Sequence, residues 1–296
     1  MNSKTTIFLH IPKAAGTTLN HLVHRNYKSK QIFAAPETVM SIYGKKWREV
    51  PSIERWRVAQ ENFAKLPVED KRNKYAIYGH MWFGWHKLTP IDCQYVTFLR
   101  DPVERTISHF NFLKDLQGSP ISEEINKHQL TLKDFLDEKD DLFKKISGVN
   151  LLDNIQSKLI SGDIQLTEYS WHKAIKNIKN NFLFIGFAES FNKDILTLAK
   201  LLKWNLPFYS TKNVSQKYVS PYAVDEECIY KIVNSNLMDI ALYKYIYYNF
   251  KSEHTDSKID NIKTMYFEVL NNFIGQILLN DLDSLKKFWK KYLNKL

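Results

Sequence analysis

The sequence is short of cysteine, glycine, proline and acidic side chains, and each shortage removes a class of protein. Two cysteines, Cys93 and Cys228, in 296 residues are too few for a disulfide scaffold or a cysteine-rich metal centre. They suit a reducing compartment. Nine glycines and nine prolines, scattered along the chain, exclude collagen-like and low-complexity architectures. No stretch approaches the roughly 20 apolar residues of a membrane span. The densest run, Phe182 to Ala188, has the length of a strand. The opening residues, Met1 to Gly16, lack the long apolar segment of a signal peptide, so the expectation is a soluble, cytoplasmic protein. Acidic residues number 32 against 42 Lys and Arg, a formal charge of +10, which points to an anionic partner without naming it.

What is present argues for a globular chain. Hydrophobic residues make up 44% and aromatics 14%, which excludes disorder. A chain of this length buries roughly 75% of its unfolded surface, enough for one large α/β domain or two modest ones. There is no internal repeat.

Thr5 to Ile11 is a β-branched and apolar run that reads as a buried strand, broken by Pro12 to Gly16. Thr17 then opens a helical pattern as its N-cap, with Leu19, Leu22 and Val23 on one face. Further strands are expected at Tyr75–Tyr78, ending at Gly79-His80, at Gln94–Leu99, ending at Arg100-Asp101-Pro102, and at Phe182–Phe187. Pro102 suits a first helical turn, and Asp194 to Leu202 reads as another helix. Strands alternating with helices imply a P-loop-like parallel β-sheet flanked by helices, with ligands beyond the strand C-terminal ends. Residues 38–70 and 121–178 read as helical and irregular, and from such stretches the acceptor pocket would be lined. After Asp225 the pattern is helical. The division is a domain over 1–250 and a helical C-terminal extension over 251–296, with a polar hinge at Lys251 to Lys258. The extension's helices, Met265 to Leu279 and Leu282 to Leu296, suit packing, a homo-oligomer contact or a membrane-surface helix.

The segment His10-Ile11-Pro12-Lys13-Ala14-Ala15-Gly16-Thr17-Thr18 carries the chemistry. A strand feeding a small-residue loop into a helix gathers free N–H groups and the positive end of the helix dipole at one point. Lys13 adds a charge, Thr17 and Thr18 add hydroxyls, and Ala14, Ala15 and Gly16 leave the backbone accessible. It is not a Walker A loop, because Lys13 precedes the glycine. The plainer alternative is a tight turn with a solvated lysine. In the second segment, Arg100 sits at a strand end and Ser108 about two helical turns beyond Pro102. Arg105 reads as a surface helix charge and Asp101 as a helix cap.

Together these segments resemble the nucleotide-binding motifs of the sulfotransferases that use 3′-phosphoadenosine 5′-phosphosulfate (PAPS), and among them the carbohydrate group that includes heparan sulfate 2-O-sulfotransferase. The resemblance implies that His10 to Thr18 holds the 5′-phosphosulfate and that Arg100 and Ser108 bind the 3′-phosphate. Looser matches are Asn154-x-Gln156-x-Lys158, Gly186 to Phe191, the loop with Asn213 and Ser215 that closes over the nucleotide, and Asn236-x-x-Asp239. The resemblance covers roughly residues 5–250 and implies a carbohydrate hydroxyl as acceptor, with PAP as product and no metal. No metal-ligand set is evident either.

Sulfuryl transfer needs a base, and His is suited to that at neutral pH. Of nine histidines, only His80 lies at a parallel strand end on the edge expected to carry Lys13 and Arg100, and the resemblance implies the base there too. His86 is a second candidate, for acceptor binding or as alternative base. His10 and His109 read as packed residues. Glu189 is a weaker alternative base, with a structural role favoured. Trp82, Phe83 and Trp85 would line an acceptor pocket or fill a corner of the core. Three other readings compete. A kinase-like phosphotransferase would need Asp101 to hold Mg²⁺. A nucleic-acid-binding protein would show a basic stripe, whereas the basic residues here are dispersed. An inactive relative would bind PAP or glycan only.

Overall fold

β-Branched and aromatic residues dominate five short segments, and in the computed structural model these are the strands. The structure describes residues 4–116, 118–147, 150, 152–209, 224–250, 263–268 and 270–271. In chain order the elements are β1 (Thr5–Leu9), α1 (Gly16–Asn26), β2 (Ile32–Ala34), α2 (Ala35–Tyr43), α3 (Ser52–Lys65), α4 (Val68–Arg72), β3 (Ala76–Gly79), β4 (Cys93–Leu99) and α5 (Pro102–Asp115). There follow α6 (Pro120–Lys127), α7 (Leu132–Ser147), α8 (Ile155–Ser161), α9 (Glu168–Asn181), β5 (Phe182–Phe187), α10 (Phe191–Leu202), α11 (Glu226–Ser235) and α12 (Leu237–Phe250). No described helix is long and apolar enough to cross a membrane.

The sheet is wholly parallel in the order β2-β3-β1-β4-β5. From β1 the chain first builds to one side and then, at β4, to the other. The strand order therefore reverses between β1 and β4, the place where such sheets open a crevice at their C-terminal ends. Both sheet faces are covered, and successive residues alternate between them. Ile7, Leu9, Ile77, Tyr95 and Leu99 enter one core with α3, α8 and α12, while Phe8, Tyr78, Val96 and Phe98 enter the other with α1 and α10.

Four strands fall where the sequence places them. The fifth, β2, has only three residues, too short for a visible periodicity. Helix α1 starts at Gly16, capped by Ala15 in the left-handed region at φ 59°, so Thr17 lies in the first turn and is not the cap. The described part of the C-terminal extension, residues 263–268 and 270–271, is helical and packs on the α1 and α10 side through Phe267 and Leu270. The rest of the two expected late helices lies outside the described residues.

Gly79 ends β3 at φ +147°, and a Cβ there would lie 2.7 Å from Ala35 Cβ. Only glycine satisfies both the backbone angle and the packing of α2. Gly79→Ala is expected to lower stability by about 1–3 kcal/mol, read as a lower denaturant midpoint at unchanged slope.

Candidate active site

Two helices start at the crevice, and their N-termini are treated differently. In α5, Asp101 caps the end, its carboxylate accepting from the N–H groups of Val103 at 2.9 Å and Glu104 at 3.0 Å. In α1, no side chain caps the end, so the first-turn donors and the helix dipole face the crevice uncompensated. Before it, Lys13 and Ala15 both adopt positive φ, at 68° and 59°. Such reversals between neighbouring residues fold successive N–H groups into an anion-binding concavity. The Ala14 N–H, by contrast, is spent on the Ile11 carbonyl at 3.2 Å, and the Ala14 side chain is buried in the core.

The resulting cleft brings together Lys13 and Ala15 from the loop, Gly16, Thr17 and Thr18 from the first turn of α1, Arg100 from the β4–α5 connection, Ser108 from the second turn of α5, and His80 from just beyond β3. His10, Pro12, His109 and Phe112 complete the wall, and no acidic side chain lines it. Burial, with Arg100 adding repulsion, brings the Lys13 ammonium down to about 8. It is still mostly protonated at pH 7, its nitrogen 4.3 Å from the centre of the Phe112 ring. Arg100 donates to the Lys13 carbonyl at 3.2 Å and pairs loosely with Glu104 at 3.4 Å. Two cations thus face the cleft, Arg100 with Glu104 as its carboxylate partner outside the wall.

Three histidines pack around them. The His10 and His80 rings stack with centroids 4.1 Å apart. His10 also explains Gly16, since a Cβ there would lie 1.8 Å from His10 Cδ2. His80 Nδ1 donates to the His10 carbonyl at 2.8 Å, which leaves Nε2 as the proton-accepting nitrogen. Burial is the main force lowering His80 to about 4; Arg55 and Lys13 add to it, while the bond to His10 opposes it. Burial likewise holds His10 and His109 well below the ordinary histidine range.

A second cavity of about 270 Å³ shares His10, Pro12, His80, His109 and Phe112 with the first. Its further walls come largely from α2, α3 and the segment between them: Val39, Trp47, Arg48, Arg55, Trp56 and Ala59. Trp56 lies 5.9 Å from the His80 ring. Arg55 donates to Ser52 Oγ at 2.7 Å, but its buried Nε has no partner. The cavity wall also contains no acidic residue.

Other expected residues lie elsewhere. His86 is not brought to either cavity; its Nδ1 pairs with the Tyr95 hydroxyl at 2.9 Å. Glu189 accepts from the Asp101 N–H at 2.7 Å and from the Tyr243 hydroxyl at 3.2 Å, a structural use that anchors the capping loop. Trp85 is buried against Phe33 and Phe63, and Phe83 packs on Tyr95 and Phe182. Both fill the core, and Trp82 contacts Trp56 at 5.5 Å. Asn213 and Ser215 lie outside the described residues.

Arg105 corrects the sequence reading most sharply. It is fully buried, not a surface charge, because the chain returns two carboxylates to it. Asp239 and Asp153 both favour its charged form, although burial still lowers it to about 10. Asp239 in turn accepts from the N–H groups of Gln156 at 3.1 Å and Ser157 at 2.7 Å, capping α8 from another helix. Gln156 then clamps Arg100, accepting from its N–H at 3.0 Å and donating to its carbonyl at 2.9 Å. The loosely matching segments at Asn154 and Asn236 thus form one scaffold under Arg100.

With the geometry in place, comparison with known proteins decides the family. A family model described as "Sulfotransferase family" matches residues 2–246. The chain belongs to the sulfotransferase family. No curated protein matches it. Two solved sulfotransferase structures are similar. The crystal structure of mouse sulfotransferase SULT7A1 complexed with PAP is 16% identical, with 79% of this chain covered, 64% of that one, and a TM-score of 0.35. A sulfotransferase from Alicyclobacillus acidocaldarius is 10% identical, with 87% and 98% covered and a TM-score of 0.45. This chain therefore spans just under two thirds of the mouse protein's length.

Trp47, Arg48, Arg55 and Trp56 were not singled out by sequence reasoning; the one available signal was that they belong to a stretch expected to supply the pocket. The histidine cluster yields a pH expectation for this sulfotransferase-family chain. Unfolded histidines take up protons below about pH 6.5, while the folded ones resist. Their contribution is full above that value and is lost as pH falls toward the His80 value of about 4. The melting temperature should decline across this window, and replacing His80 with Gln should flatten the decline. A decline equally steep in the variant would contradict the assignment.

Proposed function

We propose that the chain transfers the sulfuryl group of PAPS to a hydroxyl of an acceptor, with His80 as general base. The observation that supports this most is the cleft itself, where Lys13, Arg100 and the open N-terminus of α1 converge with no acidic side chain in the wall. An anion with more than one charged group matches that surface. Lys13 and the loop N–H groups would hold the 5′ side, and Arg100 with Ser108 the 3′-phosphate.

When bound, PAPS supplies a sulfuryl group on a phosphate that leaves as PAP. The protein's part is positioning and electrostatics. Lys13 and the α1 dipole neutralise charge that grows on the leaving phosphate. His80 stays neutral at pH 7 and takes the acceptor proton at Nε2. The donor's negative charge also raises the proton affinity of that imidazole, so the base strengthens once the donor is seated.

The acceptor would enter through the second cavity, which meets the first at His80. Trp47 and Trp56 in its wall suit the apolar side of a sugar, and Arg48 and Arg55, both lying over the Trp47 ring, suit an anionic group on it. This supports a carbohydrate acceptor. A kinase-like reading is weakened by Asp101, whose carboxylate is engaged in capping α5. The expected division, a sulfotransferase domain over 1–250 followed by an extension, is part of this proposal.

PAP is expected to raise the melting temperature, and Lys13→Ala or Arg100→Ala to remove most of that shift. Stabilisation by ATP equal to that by PAP would overturn the donor assignment.

A further inference from the structure

A third cleft, of about 460 Å³, adjoins the first through Ala15 and Thr18, and its size is that of a ligand pocket. Its floor is the turn after β5 and the start of α10, including Phe191 and Asn192, and Tyr209 stands at one side. Glu189, already engaged by the Asp101 N–H and the Tyr243 hydroxyl, lies in the turn. The remaining wall, Thr264 and Glu268, comes from beyond residue 246, where the family match ends. That segment is held in place. Phe267 stacks on Phe208 at 5.5 Å, and Asn271 accepts from the Tyr209 N–H at 2.7 Å.

The polar groups are ordered in a chain. The Tyr209 hydroxyl donates to Asn192 Oδ1, and Asn192 Nδ2 donates to Glu268 Oε1 at 3.0 Å. Burial, reinforced by Glu268, pushes the Tyr209 phenol up to about 12, so it stays a donor. This sets the Asn192 amide with its nitrogen toward Glu268. A carboxylate is acceptor-only and retains capacity beyond one bond. Phe191 and Tyr209 meet edge to face at 5.2 Å, giving the cleft an aromatic side.

A nucleotide seated on the α1 loop has three ways to extend. One leads to Arg100 and Ser108, which suit a phosphate. The second leads past His80 into the acceptor cavity. The third is this cleft, which offers an aromatic side and a fixed carboxylate acceptor. We propose that the segment beyond residue 246 completes the donor site here, with Glu268 accepting a hydrogen bond from the exocyclic amine of the purine base. The inference rests on the PAPS reading above and adds a base-reading residue from outside the family-matched span.

The test is calorimetric titration of the full chain with PAP, its 2′-deoxy analogue and inosine 3′,5′-bisphosphate, in which a carbonyl replaces the amine. A hydrogen bond to a carboxylate predicts that the wild type prefers PAP over the inosine compound by roughly tenfold or more. Glu268→Ala should weaken PAP by a similar factor and abolish the preference. Glu268→Gln has the same shape and an amide that can donate to the inosine carbonyl, so it should narrow the preference. An unchanged apo melting temperature in Glu268→Gln ties the effect to the ligand. Full PAP affinity in both variants would overturn the proposal. So would a loss confined to the 2′-deoxy analogue, which would make Glu268 a reader of the sugar. If the wild type fails to bind PAP at all, the donor reading falls and this inference falls with it.

Discussion

Positive charge is held in a half-buried cleft without matching negative charge, and the rest of the molecule is arranged around that imbalance. Two cations about 4 Å from an anion gain on the order of 4 kcal/mol each at the effective dielectric of such a site. Burial already lowers Lys13 to about 8, so an anion seated beside it would favour its charged form. The Phe112 ring face contacts Lys13, while the Lys13 carbonyl and the Glu104 carboxylate hold Arg100.

The imbalance is maintained by the careful use of carboxylates elsewhere. Asp101 is spent on α5, Glu189 on the Asp101 backbone, and Asp239 on α8 and Arg105. Each lies near the cleft, and none lines it. Gln156, a neutral side chain, fixes the Arg100 backbone without cancelling its charge. The buried Arg105 beneath is costly to desolvate, so removing Asp239 would leave Asp153 as the remaining carboxylate that favours its charge.

Much of this was legible in the sequence because it is local. The strand at Thr5, the loop from Pro12 to Gly16 and the helix after it are contiguous, so residue types alone showed that Lys13 and small residues precede a helix N-terminus. His80 was legible because Gly79 ends a short apolar strand on the same sheet edge. What escaped depends on distant chain segments. Arg105 looks like any charged helix residue until Asp239 is folded against it. Trp56 and Arg55 sit on an ordinary amphipathic helix whose inward face only the packing of α3 reveals. His86 stood as a second candidate by type and nearness, yet it pairs with the Tyr95 hydroxyl and lines neither cavity.

The central claim is that His80 takes a proton from an acceptor hydroxyl beside a donor held by Lys13 and Arg100. The most direct measurement is transfer of labelled sulfate from PAPS to a panel of carbohydrate acceptors, by the wild type and His80→Ala, with PAP affinity measured in parallel. The account predicts transfer by the wild type and a loss of roughly 100- to 10,000-fold in the variant, with PAP affinity nearly unchanged. Transfer at the wild-type rate by His80→Ala would contradict it.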